Sequence, residues 1–552
     1  MGLFKEKKKI KIKSGGAGSE ISPLRPKYVE KEPPCMAECP CGNDIRGWLT
    51  AIGHADRFEN TPDEGLEMAW RLLTEKNPIP AIMGRVCPHP CELKCNRKEK
   101  DGAVAINAME RFIGDWGLEK GLKFEKLNGD ARSEKVAVIG SGPGGLSCAY
   151  QLARRGYGVT IYEAFDKPGG MLYWGIPRYR LPWDVLEKEV KNIEDLGVEI
   201  KYNTKVGKDV SLEQLRKDYD AVFMAIGAHK GYLLRVEGED APNVYTGTAF
   251  LNAANDGKPV DIGDKVIVIG GGDTAIDAAR VSKRLGADVT IVYRRTRTEM
   301  PAIEPEIEGA LEEGVKIEYL AAPVEIFQND GKATGMKCIR MELGEPDSSG
   351  RRRPVPKEGS EFDIECTCII PAISQEPDFE GFGELHEGRD WVKVDEWGRT
   401  NVEKVYSGGD DINLGLVTDA VGQGRHAAET IDADLRGETR EKESPRPPIT
   451  HDKMKLSWYD AAERHERKDI PVEERDMEKE ISRPLSREEA VAEAKRCMSC
   501  GKCFNCETCW MYCTPACFAK VGPMQPYKIK MELCNGCKKC SEECPCGFIE
   551  MF

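Results

Sequence analysis

The sequence predicts an α/β fold with two parallel-sheet units in tandem and a cysteine-rich segment at each end. Two strand–glycine-turn–helix units, at 136–163 and 266–294, are the main evidence. The rest is the distribution of the 22 cysteines. Six lie between Cys35 and Cys95, twelve between Cys497 and Cys546, and only Cys148, Cys338, Cys366 and Cys368 stand elsewhere.

In the first unit the apolar run Val136–Ile139 reads as a buried parallel strand. Gly140, Gly142 and Gly145 follow as GxGxxG. The first glycine permits the tight turn, the second lets a pyrophosphate approach the backbone, and the third lets the helix pack on the strand. The phosphates then meet a helix N-terminus. The next strand, VTIYE, ends in Glu163, 23 residues after Gly140, where a carboxylate can accept ribose hydroxyls. The second unit carries Gly270, Gly272 and Ala275, with Asp273 and Thr274 opening its helix. Its second strand ends in Arg294 and Arg295, and arginine at that position favours the 2′-phosphate of NADP over the free ribose of NAD. Two such units, the first ending in an acid, imply FAD followed by NAD(P)H. Gly170 and Met171 follow the first unit without a redox-active cysteine pair. VFMAIGAH (222–229) reads as the strand and turn leading into the nicotinamide domain. VYSGGDD (405–411) brings Gly409 and Asp410 to the flavin side chain, and Ala420 opens a helix aimed at the ring system.

These signals divide the chain. Residues 1–29 read as a mobile basic tail and 30–130 as a helical iron–sulfur domain, with DEGLEMAWRLL at helical spacing. The FAD domain takes 131–261 and 372–436, the NAD(P)H domain 262–371. A charged linker or wrapping segment covers 437–480, and 481–552 form a ferredoxin-like domain. A net charge of -14 argues against a nucleic-acid binder and suits a basic protein partner. No apolar run reaches membrane-span length and no secretion signal opens the chain, so a cytoplasmic location is expected. So many cysteines in a large chain without a signal point to metal rather than disulfides.

Within 30–436 the chain resembles the small, flavin-bearing subunit of bacterial glutamate synthase and its relatives. GRVCPHPCELKC (84–95), AINAMERFIGDW (105–116), GIPRYRLP (175–182), GGGDTAIDAAR (270–280) and EMPA (299–302) carry the resemblance. It implies the nicotinamide domain inserted into the flavin domain, and an N-terminal [4Fe–4S] cluster on Cys39, Cys87 and Cys91 completed by Glu110. Ser374 departs from the family's glycine. With its cysteine-rich tail the chain is similar to the flavoproteins that work with dissimilatory sulfite reductase, which implies that enzyme as redox partner. A glutamate-forming partner is the alternative, and a non-catalytic electron scaffold a third reading. A homodimer is left open.

The tail has two C-x2-C-x2-C-x3-C runs, and in two-cluster ferredoxins the fourth cysteine of each run serves the other cluster. One [4Fe–4S] is therefore expected on Cys503, Cys506, Cys509 and Cys544, the other on Cys534, Cys537, Cys540 and Cys513. Zinc on paired CxxC units is the rival. Cys517 and Cys546 read as packing residues, while Cys41 has no evident place. In the family a stretch like REEAVAEAKRCMSC stands near the N-terminus; here it stands at 487–500. A permuted cluster on Cys35, Cys95, Cys497 and Cys500 is expected, with spare tail cysteines as the alternative. Truncation after about Arg436 is expected to spare flavin reduction and abolish delivery to the partner.

Overall fold

The computed structural model describes residues 22–552 apart from 128, 348–349, 387–390 and 442–445. The expected tail of 1–29 thus lies mostly outside the described residues. A five-stranded parallel sheet runs in the order Val405–Ser407, Ala221–Met224, Lys135–Ile139, Gly158–Tyr162, Glu199–Lys201. Its first strand arrives only after a second parallel sheet has been completed: Cys368–Pro371, Lys265–Ile269, Asp288–Tyr293, Lys316–Tyr319. The second unit is therefore inserted into the first. The antiparallel pair Lys230–Gly231 and Gln375–Glu376 joins the two crossings. There Ser374 O accepts from Tyr232 N, and its φ is not positive, so serine replaces glycine without backbone strain.

Both sheets are buried on two faces, which is why their strands read as unbroken apolar runs. In the first, the helices Pro143–Arg154 and Val417–Leu435 cross where a Cβ on Gly424 would lie 2.1 Å from Gly144 O. That close approach fixes the second helix over the first phosphate turn. An antiparallel sheet of Ala321–Asn329, Lys332–Pro346 and Arg352–Glu365 is set into the nicotinamide unit.

While Ile82 and Met83 of the helix Pro80–Val86 join the core of the first sheet, the N-terminal helices Ile45–Gly53, Pro62–Thr74 and Ile106–Glu119 bury Trp48, Leu66, Trp70, Met109 and Ile113 together. The second opens with a capping box, Thr61 and Glu64, and Pro62 at its first turn. Leu485, Ala490 and Ala494, from the far end of the chain, complete this core. A Cβ on Gly53 would lie 2.9 Å from Ala494 O, so only glycine admits the helix Arg487–Ala494 there.

The charged segment after Arg436 behaves as a strap. Lys455 N donates to Pro545 O, Arg467 Nη1 to Gly84 O at 2.8 Å, and Ile481 N to Tyr179 O. Arg475 pairs with Glu312 and Glu313 of the nicotinamide unit. At the end of the chain, Ile549–Met551 pairs antiparallel with Pro26–Tyr28. Cutting after Arg436 would strip these contacts from three regions. The cut also removes Leu485, Ala490 and Ala494 from the N-terminal core, so the truncated chain is expected to lose stability there as well as delivery to the partner.

Candidate functional site: a dinucleotide cavity beside cysteine-lined chambers

A cavity of about 520 Å³ opens at the carboxyl ends of the first sheet, within the usual range for a cofactor site. Gly140, Gly142, Glu163, Gly170, Met171, Gly409, Asp410 and Ala420 line it, with Asp273 and Thr274 from the second unit. Gly140 has φ 96°, and a Cβ there would lie 2.3 Å from Ala225 O. A Cβ on Gly145 would lie 2.0 Å from Gly140 O, so its role is packing. By contrast nothing lies within 4 Å of a Cβ on Gly142; that open cradle over a helix N-terminus fits a pyrophosphate. The buried Glu163 carboxylate accepts from Ser141 N (2.9 Å), the Ser141 hydroxyl and Phe165 N (2.9 Å). The turn is thus pre-formed around it, with lone pairs left for a ribose. Burial raises the Asp410 carboxyl to about 6. His229, at the cavity wall, has a buried Nδ1 without a hydrogen-bond partner, and burial lowers its pKa to about 4.

Gly270, Gly272 and Ala275 lie outside this cavity, in the second phosphate turn. Gly270 has φ 146°, and a Cβ would lie 2.3 Å from Ala372 O. Gly272 is open except for Pro301 Cγ at 3.9 Å, and Ala275 is buried within the first turn of the helix Asp273–Arg284. The structure separates the two arginines read as a pair. Arg294 is exposed at the end of its strand. Arg295 is 5 % exposed, donating to Arg352 O (2.8 Å) and pairing with Asp347 (2.8 Å). Arg295 thus anchors the inserted hairpin, while Arg294 is exposed. Sequence reasoning gave no role to Arg180, which lines the cavity and pairs with Asp277 (2.7 Å) and Glu306 (3.1 Å) between the two units. The string GIPRYRLP was its only signal.

Three smaller chambers are lined by cysteines. Cys39, Cys41, Cys87, Cys91 and Glu110 face the first, with Trp48, Met83 and Ile106 as apolar walls. Burial raises Glu110 to about 8; its Oε1 accepts from Asn77 Nδ2 at 2.9 Å. Cys503, Cys506, Cys509 and Cys544 face the second, and Cys513, Cys534, Cys537 and Cys540 the third. The fourth cysteine of each run thus lies in the other run's chamber. Cys546 joins the second chamber and Cys517 the third. Cys35, Cys95 and Cys497 pack against the same N-terminal core; burial drives the Cys35 thiol up, with Cys95, Cys500 and Cys497 adding to it. Asn96 Nδ2 lies 3.7 Å from Cys500 Sγ. His89 is a loop residue with φ 46°.

Four sulfurs on one zinc would each lie about 2.3 Å from it. Among the described residues no three His, Cys, Asp or Glu side chains converge enough to hold a single ion. Two short segments serve two sites at once. Val86 and Pro88 line the dinucleotide cavity while Cys87 lines the first chamber. Leu416, Val417 and Ala420 line the cavity while Thr418 lines the chamber.

This architecture defines a two-nucleotide flavoprotein oxidoreductase. The chain belongs to the pyridine nucleotide-disulphide oxidoreductase family, whose model matches residues 134–424. Residues 29–122 match the iron–sulfur model described as dihydropyrimidine dehydrogenase domain II, 4Fe-4S cluster. The chain is 38 % identical over 520 residues to the NADPH-Fe(3+) oxidoreductase subunit beta of Geobacter sulfurreducens, covering 86 % of this chain and 76 % of that one. It is 38 % identical over 512 residues to the NADP(+)-dependent formate dehydrogenase subunit beta of Moorella thermoacetica, covering 85 % and 70 %. The glutamate synthase [NADPH] small chain of Escherichia coli is 35 % identical over 428 residues, covering 72 % and 88 %. The chain is therefore a redox enzyme using FAD and NAD(P)H, with an N-terminal iron–sulfur domain. Among the described residues no helix is long and apolar enough to cross a membrane.

Proposed function

We propose that this chain is the NADP(H)-linked subunit of a larger redox enzyme, exchanging electrons between NADPH and a protein partner. The observation that carries the reading is the shared wall of the dinucleotide cavity and the Cys39–Cys87–Cys91–Glu110 chamber, formed by residues 86–88 and 416–420. Bound FAD couples the electron pair of a nicotinamide to the single electrons that iron–sulfur clusters carry. Gly142 and the helix N-terminus at Pro143 would hold its pyrophosphate, Glu163 its ribose, and the helix Val417–Leu435 the far edge of the ring. Cys39, Cys87, Cys91 and Glu110 would hold the cluster nearest the flavin. Cys35, Cys95, Cys497 and Cys500 would hold the next, and the two tail chambers the last two.

The expected alternative, an NADPH-delivering subunit of the glutamate synthase type, is favoured by these relatives over a dissimilatory sulfite reductase partner. The latter rests on the tail's resemblance alone. Anaerobic addition of NADPH should bleach the flavin, and added one-electron protein acceptor should restore it; a flavin untouched by NADPH defeats the proposal. Arg294→Ala should lower the preference for NADPH over NADH about tenfold, roughly the value of one charge-assisted hydrogen bond. Steady-state dye reduction with each nucleotide checks this, and an unchanged ratio removes Arg294 from the site.

A further inference from the structure

The pentapeptide Glu-Cys-Pro-Cys-Gly occurs twice, at 38–42 and 543–547. Both copies end on a left-handed glycine, Gly42 at φ 64° and Gly547 at φ 68°. Each puts two thiols at the wall of a cysteine-lined chamber.

The C-terminal copy acts as an internal control for the N-terminal one. Its chamber already has four cysteines at ferredoxin spacing, so Cys546 is a fifth thiol. It is 2 % exposed, and its Sγ lies 3.8 Å from that of Cys544. The N-terminal chamber likewise has four donors without Cys41. Cys41 is also 2 % exposed, with its Sγ 3.1 Å from Thr418 Oγ1 and 3.3 Å from Thr418 O. The residue between the two cysteines is proline, which has no N–H to offer a neighbouring sulfur.

We propose that the second cysteine of each copy is not an iron ligand but a protonated thiol that donates a hydrogen bond to the ligating sulfur two residues before it, Cys41 to Cys39 and Cys546 to Cys544. The inference rests on the cluster assignment proposed above. Hydrogen bonds to cluster sulfurs stabilise the more negative, reduced cluster and raise its potential. At the N-terminal copy the Cys41 thiol also lies within reach of Thr418 O, an acceptor at 3.3 Å, and of the Thr418 hydroxyl at 3.1 Å, so Cys39 competes with that carbonyl for the one thiol proton. Thr418 belongs to the first turn of the helix whose neighbours Leu416, Val417 and Ala420 line the dinucleotide cavity. Cys41 is therefore a positioning residue at the junction of the two sites, where a potential step governs transfer.

The test uses the full chain purified without oxygen, with iron content and midpoint potentials from an EPR-monitored titration. Cys41→Ala and Cys546→Ala should keep the wild-type iron content. Each should lower the midpoint of one cluster and leave the others in place, with Cys41→Ser between alanine and wild type. Glu110→Ala should lose the iron that Cys41→Ala keeps. Loss of one cluster's iron in Cys41→Ala would make Cys41 a ligand and overturn the inference, as would unchanged midpoints at full iron content. Wild-type protein without iron–sulfur signals would overturn the cluster assignment first, and the inference with it.

Discussion

Arg496→Ala should destabilise the protein by about 3–5 kcal/mol, the cost of breaking a buried ion pair from one side. The guanidinium is 1 % exposed and its partner Glu493 is fully buried, at 2.6 Å. It also donates to Ala103 O (3.0 Å), Gly102 O (2.8 Å), Asp101 O (3.0 Å) and Ala462 O (3.2 Å). One planar fork thus satisfies carbonyls from the N-terminal domain and from the strap, and fixes the helix Arg487–Ala494 between them. Removing it takes the guanidinium from the carbonyls of Asp101, Gly102 and Ala462, while Ala103 O keeps Arg464 Nη1 at 2.9 Å. Glu493 would keep only the N–H groups of Ala105 and His465, each at 2.8 Å, and the His465 ring. Lysine should rescue little, because a single ammonium cannot reproduce the fork. Denaturant unfolding of the wild type, Arg496→Ala and Arg496→Lys gives the comparison; a loss under about 1 kcal/mol, typical of an exposed pair, would refute this account.

The role of Arg496 also shows which parts of the molecule a sequence can reveal. The two glycine turns were legible because strand, turn and helix are contiguous and each glycine answers a local steric demand. The tail chambers were legible because ferredoxin spacing encodes the exchange of fourth cysteines. The surroundings of Arg295 were not legible, for the opposite reason. Its partners, Asp347 and Arg352, come from a hairpin more than fifty residues on, and nothing near Tyr293 announces that contact. Cys41 found no place because Thr418 lies 377 residues away. The strap was partly legible: composition marked it as extended, but its attachments at Gly84, Tyr179 and Pro545 depend on tertiary packing. The displaced REEAVAEAKRC string was the one local sign that the chain's two ends share a core.

That shared core bears on the second large effect. Cys497→Ser with Cys500→Ser should remove one cluster's iron while leaving flavin content and NADPH-dependent bleaching intact. The helix Arg487–Ala494 is seated by the glycine contact at Gly53, by Arg496, and by Leu485 and Ala490 in the N-terminal core. These contacts deliver the following loop to Cys35 and Cys95. Ser499, between the two cysteines, takes the left-handed φ of 50° and accepts from Arg46 Nε at 2.6 Å, so the loop's turn is held from the N-terminal side. Cys35, Cys95 and Cys497, from two ends of the chain, thereby pack against one N-terminal core. A cluster on Cys35, Cys95, Cys497 and Cys500 would relay electrons between the chamber nearest the flavin and those of the tail. The double variant should therefore lose delivery to a protein acceptor along with the iron. If iron content and delivery both match the wild type, Cys497 and Cys500 are spare cysteines, and electrons reach the tail by another route.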